Sequence, residues 1–156
     1  MEPEIKTFEN IKLVGCREEI DLMNGEFSGI GKAWERLFPA AESIQNIVQD
    51  DQFWGITTGI NEAENAYTAA KQVSEISEAN AELASFDIPA QQFAVFVHRG
   101  NPMAMGQTIQ SAFQWLAQSD YQLSDSFNLE MYDSRCDPEN PDGYIIDLLF
   151  PVQAKA

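Results

Sequence analysis

The stretch of this chain best equipped for chemistry is Phe127-Asn128-Leu129-Glu130-Met131-Tyr132-Asp133. Apolar and polar residues alternate there, the pattern of a strand whose successive side chains point to opposite faces. Phe127, Leu129 and Met131 share one face, expected to pack under helices. Glu130 and Tyr132 share the other, expected to meet the opposite half of the fold. A carboxylate on such a face is desolvated, and it can attract a cation or act as acid or base with a raised pKa. The plainer reading of the same spacing is a solvated Glu opposite a Lys or Arg.

Other side chains can complete a site. In the last predicted strand Asp147 and Leu149 share a face and Ile146, Leu148 and Phe150 the other, which makes Asp147 a candidate neighbour of Glu130. Two adjacent carboxylates can share a proton or sharpen selection for cations. Trp54 and Tyr67 fall on strands where one face can look into a cleft, and an aromatic wall beside a buried carboxylate suits organic cations. Trp34 and Trp115 sit at helical positions and read as core.

Several signatures are excluded. Gly29-Ile30-Gly31-Lys32-Ala33-Trp34 opens like a dinucleotide fingerprint but lacks its third Gly and reads as a structural turn. Aligning Gly143 as an EF-hand glycine puts Pro138 at the first ligand position, so Asp137 to Gly143 reads as a hairpin loop. His98 is the only histidine, which excludes a multi-histidine metal site; no metal and no cofactor are expected, and His98 reads as structural.

The elements that must position these residues follow from periodicity and breakers. Strands are expected at Lys12–Glu19, Phe53–Thr58, Tyr67–Val73, Phe93–His98, Phe127–Arg135 and Tyr144–Val152. From an N-cap at Ser28, apolar residues recur at helical spacing to about Ile47, with Pro39 kinking or interrupting the run. A second helix is expected over Thr108–Gln118, and Ser74–Ser85 reads as a polar linker. The order is strand-helix-strand-strand, linker, strand-helix-strand-strand: an α+β fold built as a tandem β-α-β-β repeat, with antiparallel sheets and one main helix per half. One domain over 1–156 is expected, with pseudo-repeats at about 5–74 and 86–152. The free sheet faces of the two halves are expected to meet, leaving a ligand cleft between them.

Composition bounds the partners. The 156 residues carry nine Lys and Arg against 25 Asp and Glu, a formal net charge of -16. Phosphate backbones and anionic membranes repel such a chain, so neither nucleic acid nor membrane is an expected partner. Cationic ligands or a basic protein surface remain. The acidic start Met1-Glu2-Pro3-Glu4 is followed by no apolar run, and Cys16 and Cys136 form no metal-binding pattern. The expectation is a cytoplasmic protein with two free thiols, monomer or homodimer.

Taken in order, a set of short motifs now carries a resemblance. Pro3-Glu4-Ile5 precedes Leu13-Val14-Gly15; Phe53-Trp54-Gly55-Ile56 precedes Tyr67 and Val73; Ile88-Pro89-Ala90 precedes Phe93-Ala94-Val95-Phe96-Val97-His98-Arg99-Gly100; Leu129-Glu130-Met131-Tyr132 precedes Phe150-Pro151-Val152. Over roughly residues 3 to 152 the chain resembles the GyrI-like small-molecule-binding family, the bacterial effector-binding domain. The resemblance implies a duplicated SHS2-like module with its ligand cleft between halves. It also implies that Glu130 matches the cleft glutamate with which regulators of multidrug resistance hold lipophilic cations. Many members are fused to a helix-turn-helix domain; this chain resembles a stand-alone member. Such members include ligand-sequestering proteins, a branch that inhibits DNA gyrase, and hydrolases of reactive electrophiles that use a carboxylate and aromatic residues. Relatives often carry Trp where Leu149 stands. The expected function is binding of a lipophilic, cationic or aromatic small molecule, with Glu130 supplying charge. Tyr132, Trp54, Tyr67 and Phe96 would supply the wall. The alternatives are a hydrolase in which Glu130 activates water and Tyr132 orients or protonates the substrate, and an acidic module docking on a basic protein such as gyrase.

Overall fold

The computed structural model describes residues 2–156. Its strands are β1 (Glu4–Phe8), β2 (Ile11–Ile20), β3 (Phe53–Thr58), β4 (Asn65–Val73), β5 (Ala84–Ile88), β6 (Gln91–Arg99), β7 (Tyr121–Leu123), β8 (Phe127–Tyr132) and β9 (Ile145–Ala154). The helices are α1 (Ser28–Ala41) and α2 (Met105–Gln118). No helix among the described residues is long and apolar enough to cross a membrane.

All strand pairs are antiparallel, in the order β1-β6-β9-β8-β3-β4-β2-β5, with β7 added against β9. The two β-α-β-β units therefore join side by side through β3 and β8, not face to face as the repeat pattern suggested. The outer strands are exchanged: β1 leads into the first unit but pairs with β6, while β5 leads into the second but pairs with β2. Only Glu9 and Asn10 connect β1 to β2, and only Pro89 and Ala90 connect β5 to β6. Links this short bring the two ends of the sheet together, so it curls into a half-barrel. Asn10 ties the links, its amide donating to Asp87 Oδ1 (2.6 Å) and the Ile88 carbonyl (2.7 Å). The curl needs close backbone approach at Gly15, where a Cβ would lie 2.6 Å from Ala70 Cα.

The inward face carries one apolar cluster, including Leu13, Trp54, Ile56, Phe93, Phe127, Leu129 and Leu149. The outward face carries two, one per helix. Burial of Gly29, Ala33 and Leu37 gives α1 its packing stripe over β2 and β4. On α2 the buried stripe is Met105, Thr108, Ala112 and Leu116. The start of α2 is pinned by His98. Its Nε2–H donates to the Asn101 carbonyl (2.9 Å), so Nδ1 accepts from the Thr108 hydroxyl (2.7 Å).

Some boundaries differ from expectation. α1 ends at Ala41, just after Pro39, instead of reaching Ile47; Asn46 then takes a positive φ of 68° and Ile47 bridges to Val73. Ser28 is the first helical residue, and Phe27, without a capping side chain, holds the N-cap position. The 74–85 linker holds a short 3-10 turn at Glu78–Asn80 and the first residues of β5.

Candidate functional site

The outward face has a seam where β3 and β8 join the two halves, between the helix-covered clusters. Register fixes what lines it. Phe53 lies opposite Tyr132, Gly55 opposite Glu130 and Thr57 opposite Asn128. On the far side of β3, Gly55 faces Ala69 and Thr57 faces Tyr67. Strand alternation therefore puts Glu130, Tyr132, Asn128 and Tyr67 on one face, together with the first helix.

Glu130 is 6% exposed. Its Oε1 accepts hydrogen bonds from the hydroxyls of Tyr67 and Tyr132, each at 2.8 Å, and the Trp34 indole N–H donates to the Tyr67 oxygen at 3.1 Å. The site depends on Gly55. A Cβ there would run into the Tyr67 hydroxyl and lie 2.9 Å from Glu130 Oε1, so only glycine lets the phenol cross β3 to the carboxylate. Rings close the site from outside. Trp34 meets Tyr132 edge-on at 5.3 Å between centroids and approaches Tyr67, Phe53 and Phe38 at 6.3, 6.4 and 6.5 Å. The buried Lys71 puts its Nζ 3.9 Å from the centroid of Phe53 and donates to the Asp50 carbonyl.

Electrostatics follow from this packing. Burial raises the Glu130 pKa, and the phenols of Tyr132 and Tyr67 oppose the rise by donating to the charged form. Burial, then the adjacent carboxylate, pushes both phenols well above the ordinary tyrosine value. Neither tyrosine ionises near neutrality, so both remain donors. Among the described residues no Lys, Arg or His pairs with Glu130, whose Oε2 has no hydrogen-bond donor. No group of three or more His, Cys, Asp or Glu among them is placed to hold a metal ion.

The structure brings Glu130, Tyr132 and Tyr67 together, and it moves other candidates elsewhere. Phe127, Leu129 and Met131 pack on the inner core instead of under the helices, because the curl makes that side the larger apolar interior. Trp54 shares the inner face, with its indole N–H on Gln52 Oε1. Leu149 lies opposite Leu129 on that face. Asp147 is no neighbour of Glu130: it lies opposite Met131 and pairs with Arg135 at 2.8 Å, while Leu148 stands opposite Glu130. Phe96 is on the outward face but beneath α2, edge-on to Trp115 and Phe150 at 5.8 and 5.7 Å. Trp34 belongs to the site although its helical position reads as core. Gly55 was legible, since a glycine inside an aromatic strand marks a close approach.

Two concavities, of about 350 and 380 Å³, open elsewhere, at the ends of the inner core. Phe86, Ile88 and Phe127 help line the first, and Phe8, Trp54 and Met131 the second. Neither includes a buried ionisable group. The chemistry gathers instead at Glu130, where the chain's own rings fill the space.

Comparison with known proteins gives the site a context. The family model of the GyrI-like small molecule binding domain matches residues 1–153. The transcriptional regulator BrlR of Pseudomonas aeruginosa is 28% identical over 125 residues, which are 79% of this chain and 46% of the regulator. The chain thus spans less than half the length of that relative. Among solved structures, SAV2435 bound to tetraphenylphosphonium superposes with a TM-score of 0.79 at 18% identity, over 98% of this chain and 94% of that one. The EcmrR C-terminal domain gives 0.77 at 14% identity, over 99% and 98%. A hydrolase from Listeria innocua gives 0.62 at 14% identity, over 97% and 92%. At such identities these structures share the fold.

Proposed function

This chain belongs to the GyrI-like small molecule binding domain family, and on that premise we propose that it binds lipophilic organic cations at Glu130. The observation that carries the proposal is a buried carboxylate with no basic partner, one oxygen uncommitted, under a cover of aromatic rings. A lone buried charge is costly to keep, and a bound cation removes most of that cost. The rings supply flat apolar surface and attraction for positive charge, as Phe53 already does for Lys71. Trp34 and Tyr132 must turn aside to admit a ligand, because they occupy the space above the carboxylate. The tetraphenylphosphonium held by the neighbour SAV2435 is a ligand of this class.

The test is calorimetric titration with tetraphenylphosphonium and with tetraphenylborate, similar in shape and opposite in charge. The cation should bind and the anion should not. A cation about 5 Å from a carboxylate at an effective dielectric near 20 gains about 3 kcal/mol. Glu130→Gln should therefore weaken the cation by about a hundredfold. Equal affinity of the wild type and Glu130→Gln for the cation would sink the proposal. Mass spectrometry of the recovered ligand separates binding from turnover, and a hydrolysed product from an electrophilic ester would move the carboxylate and phenols to a catalytic role.

A further inference from the structure

Asn128 is a buried polar group of the seam that the carboxylate chemistry leaves unused. It stands two residues before Glu130 on β8 and on the same face, opposite Thr57, with Tyr67 beyond Thr57. Its side chain is 4% exposed, and its Nδ2 has no hydrogen-bond partner. Buried amide donors are nearly always paired, and an unpaired one weakens a fold. Asn128 and Glu130 thus stand side by side on the outward face of β8, where the two helix-covered clusters meet.

We infer that Asn128 is a specificity residue, whose amide donates to a hydrogen-bond acceptor on the ligand, and that the preferred ligands are aromatic cations carrying such an acceptor. Two residues along a strand set the separation between positive centre and acceptor at about 6–7 Å. The inference rests on the cation-binding reading and adds a second recognition point to it. Glu130 selects charge, while Asn128 selects among cations by what stands at their other end.

The experiment compares (4-methoxybenzyl)trimethylammonium with (4-ethylbenzyl)trimethylammonium, matched in shape and charge, of which only the first carries an acceptor at about this spacing. Wild type should bind the methoxy compound about fivefold more tightly. Asn128→Leu should bind both alike, with its affinity for the ethyl compound retained and its urea midpoint no lower than wild type. Asn128→Asp, similar in shape but an acceptor in place of a donor, should lose or reverse the preference. Equal binding of both compounds to wild type, or a preference that survives Asn128→Leu, overturns the assignment of Asn128 and leaves the role of Glu130 intact. Loss of both compounds together with a lowered urea midpoint in Asn128→Leu makes Asn128 structural and overturns it as well. Failure of wild type to bind either compound overturns this inference, while the tetraphenylphosphonium titration decides the cation reading separately.

Discussion

Gly55→Ala should collapse the polar centre of the seam, and the structure gives the size of the effect. The added Cβ would fall on the Tyr67 hydroxyl, 2.8 Å from its Cζ and 2.9 Å from Glu130 Oε1. The phenol cannot retreat, because Tyr67 is 1% exposed and packed in the cluster under α1. Over-packing a filled core costs about 1–3 kcal/mol. Parting a hydroxyl from a buried carboxylate costs about a further 1.5–3 kcal/mol. Relief of the glycine's conformational freedom returns about 0.5–1 kcal/mol, leaving a net loss of about 3 kcal/mol. In a Tyr67→Phe background the colliding oxygen and its hydrogen bond are already gone, so the same substitution should cost about 1 kcal/mol. Urea unfolding of the wild type, both single variants and the double variant measures the coupling, expected at about 2 kcal/mol. Losses that add to within about 0.5 kcal/mol would refute the claim that Gly55 exists to let Tyr67 reach Glu130.

Two further outcomes follow from the same chemistry. Because burial raises the Glu130 pKa above its unfolded value, this group's contribution to stability is fully present below the unfolded carboxyl pKa and is lost as pH rises through the folded one. Glu130→Gln should therefore resist urea better than wild type near neutral pH, with the difference closing on acidification; a variant weaker at neutral pH would contradict the sign. Cys16 is 2% exposed with its thiol pKa raised by burial, whereas Cys136 is only half-buried. A thiol reagent should modify Cys136 in the native protein and reach Cys16 only on unfolding, and equal native rates would show the first half opening readily.

Much of this was legible in the sequence. Central strands such as β3, β4 and β8 announce themselves through aromatic and β-branched runs, because packing on both faces demands such residues. The edges do not. β1 carries Glu4, Lys6 and Thr7, and β5 carries Ser85 and Asp87, since half of each strand looks to solvent; only their distant partners make them strands. Parity was readable but direction was not. Alternation grouped Glu130 with Tyr132 and Asp147 with Leu149, yet it could not say which side the helices cover. That depends on the curl, which follows from two-residue links between exchanged strands. For the same reason Asp147 and Trp54 looked like neighbours of Glu130 although they stand on the other face. Trp34 read as core and Asn128 drew no role, because a helical Trp and a strand Asn acquire meaning only from Tyr67 and Glu130 beside them.

The exchanged outer strands also order the events by which the chain can assemble. β5 pairs with β2, so the sheet of the first unit is complete once residue 88 has been made. β1 is made earliest and must wait longest, because Glu4 pairs with Val95 and no other strand takes that edge. Until β6 exists, β1 is an unpaired ribbon tethered to a finished sheet, and closing so long a loop is entropically slow. The second unit takes that ribbon as its outermost strand, so its sheet is complete only once β1 has joined β6. During synthesis the first unit can thus finish its sheet before the second has been made, and the seam that holds Glu130 closes when β8 docks on β3.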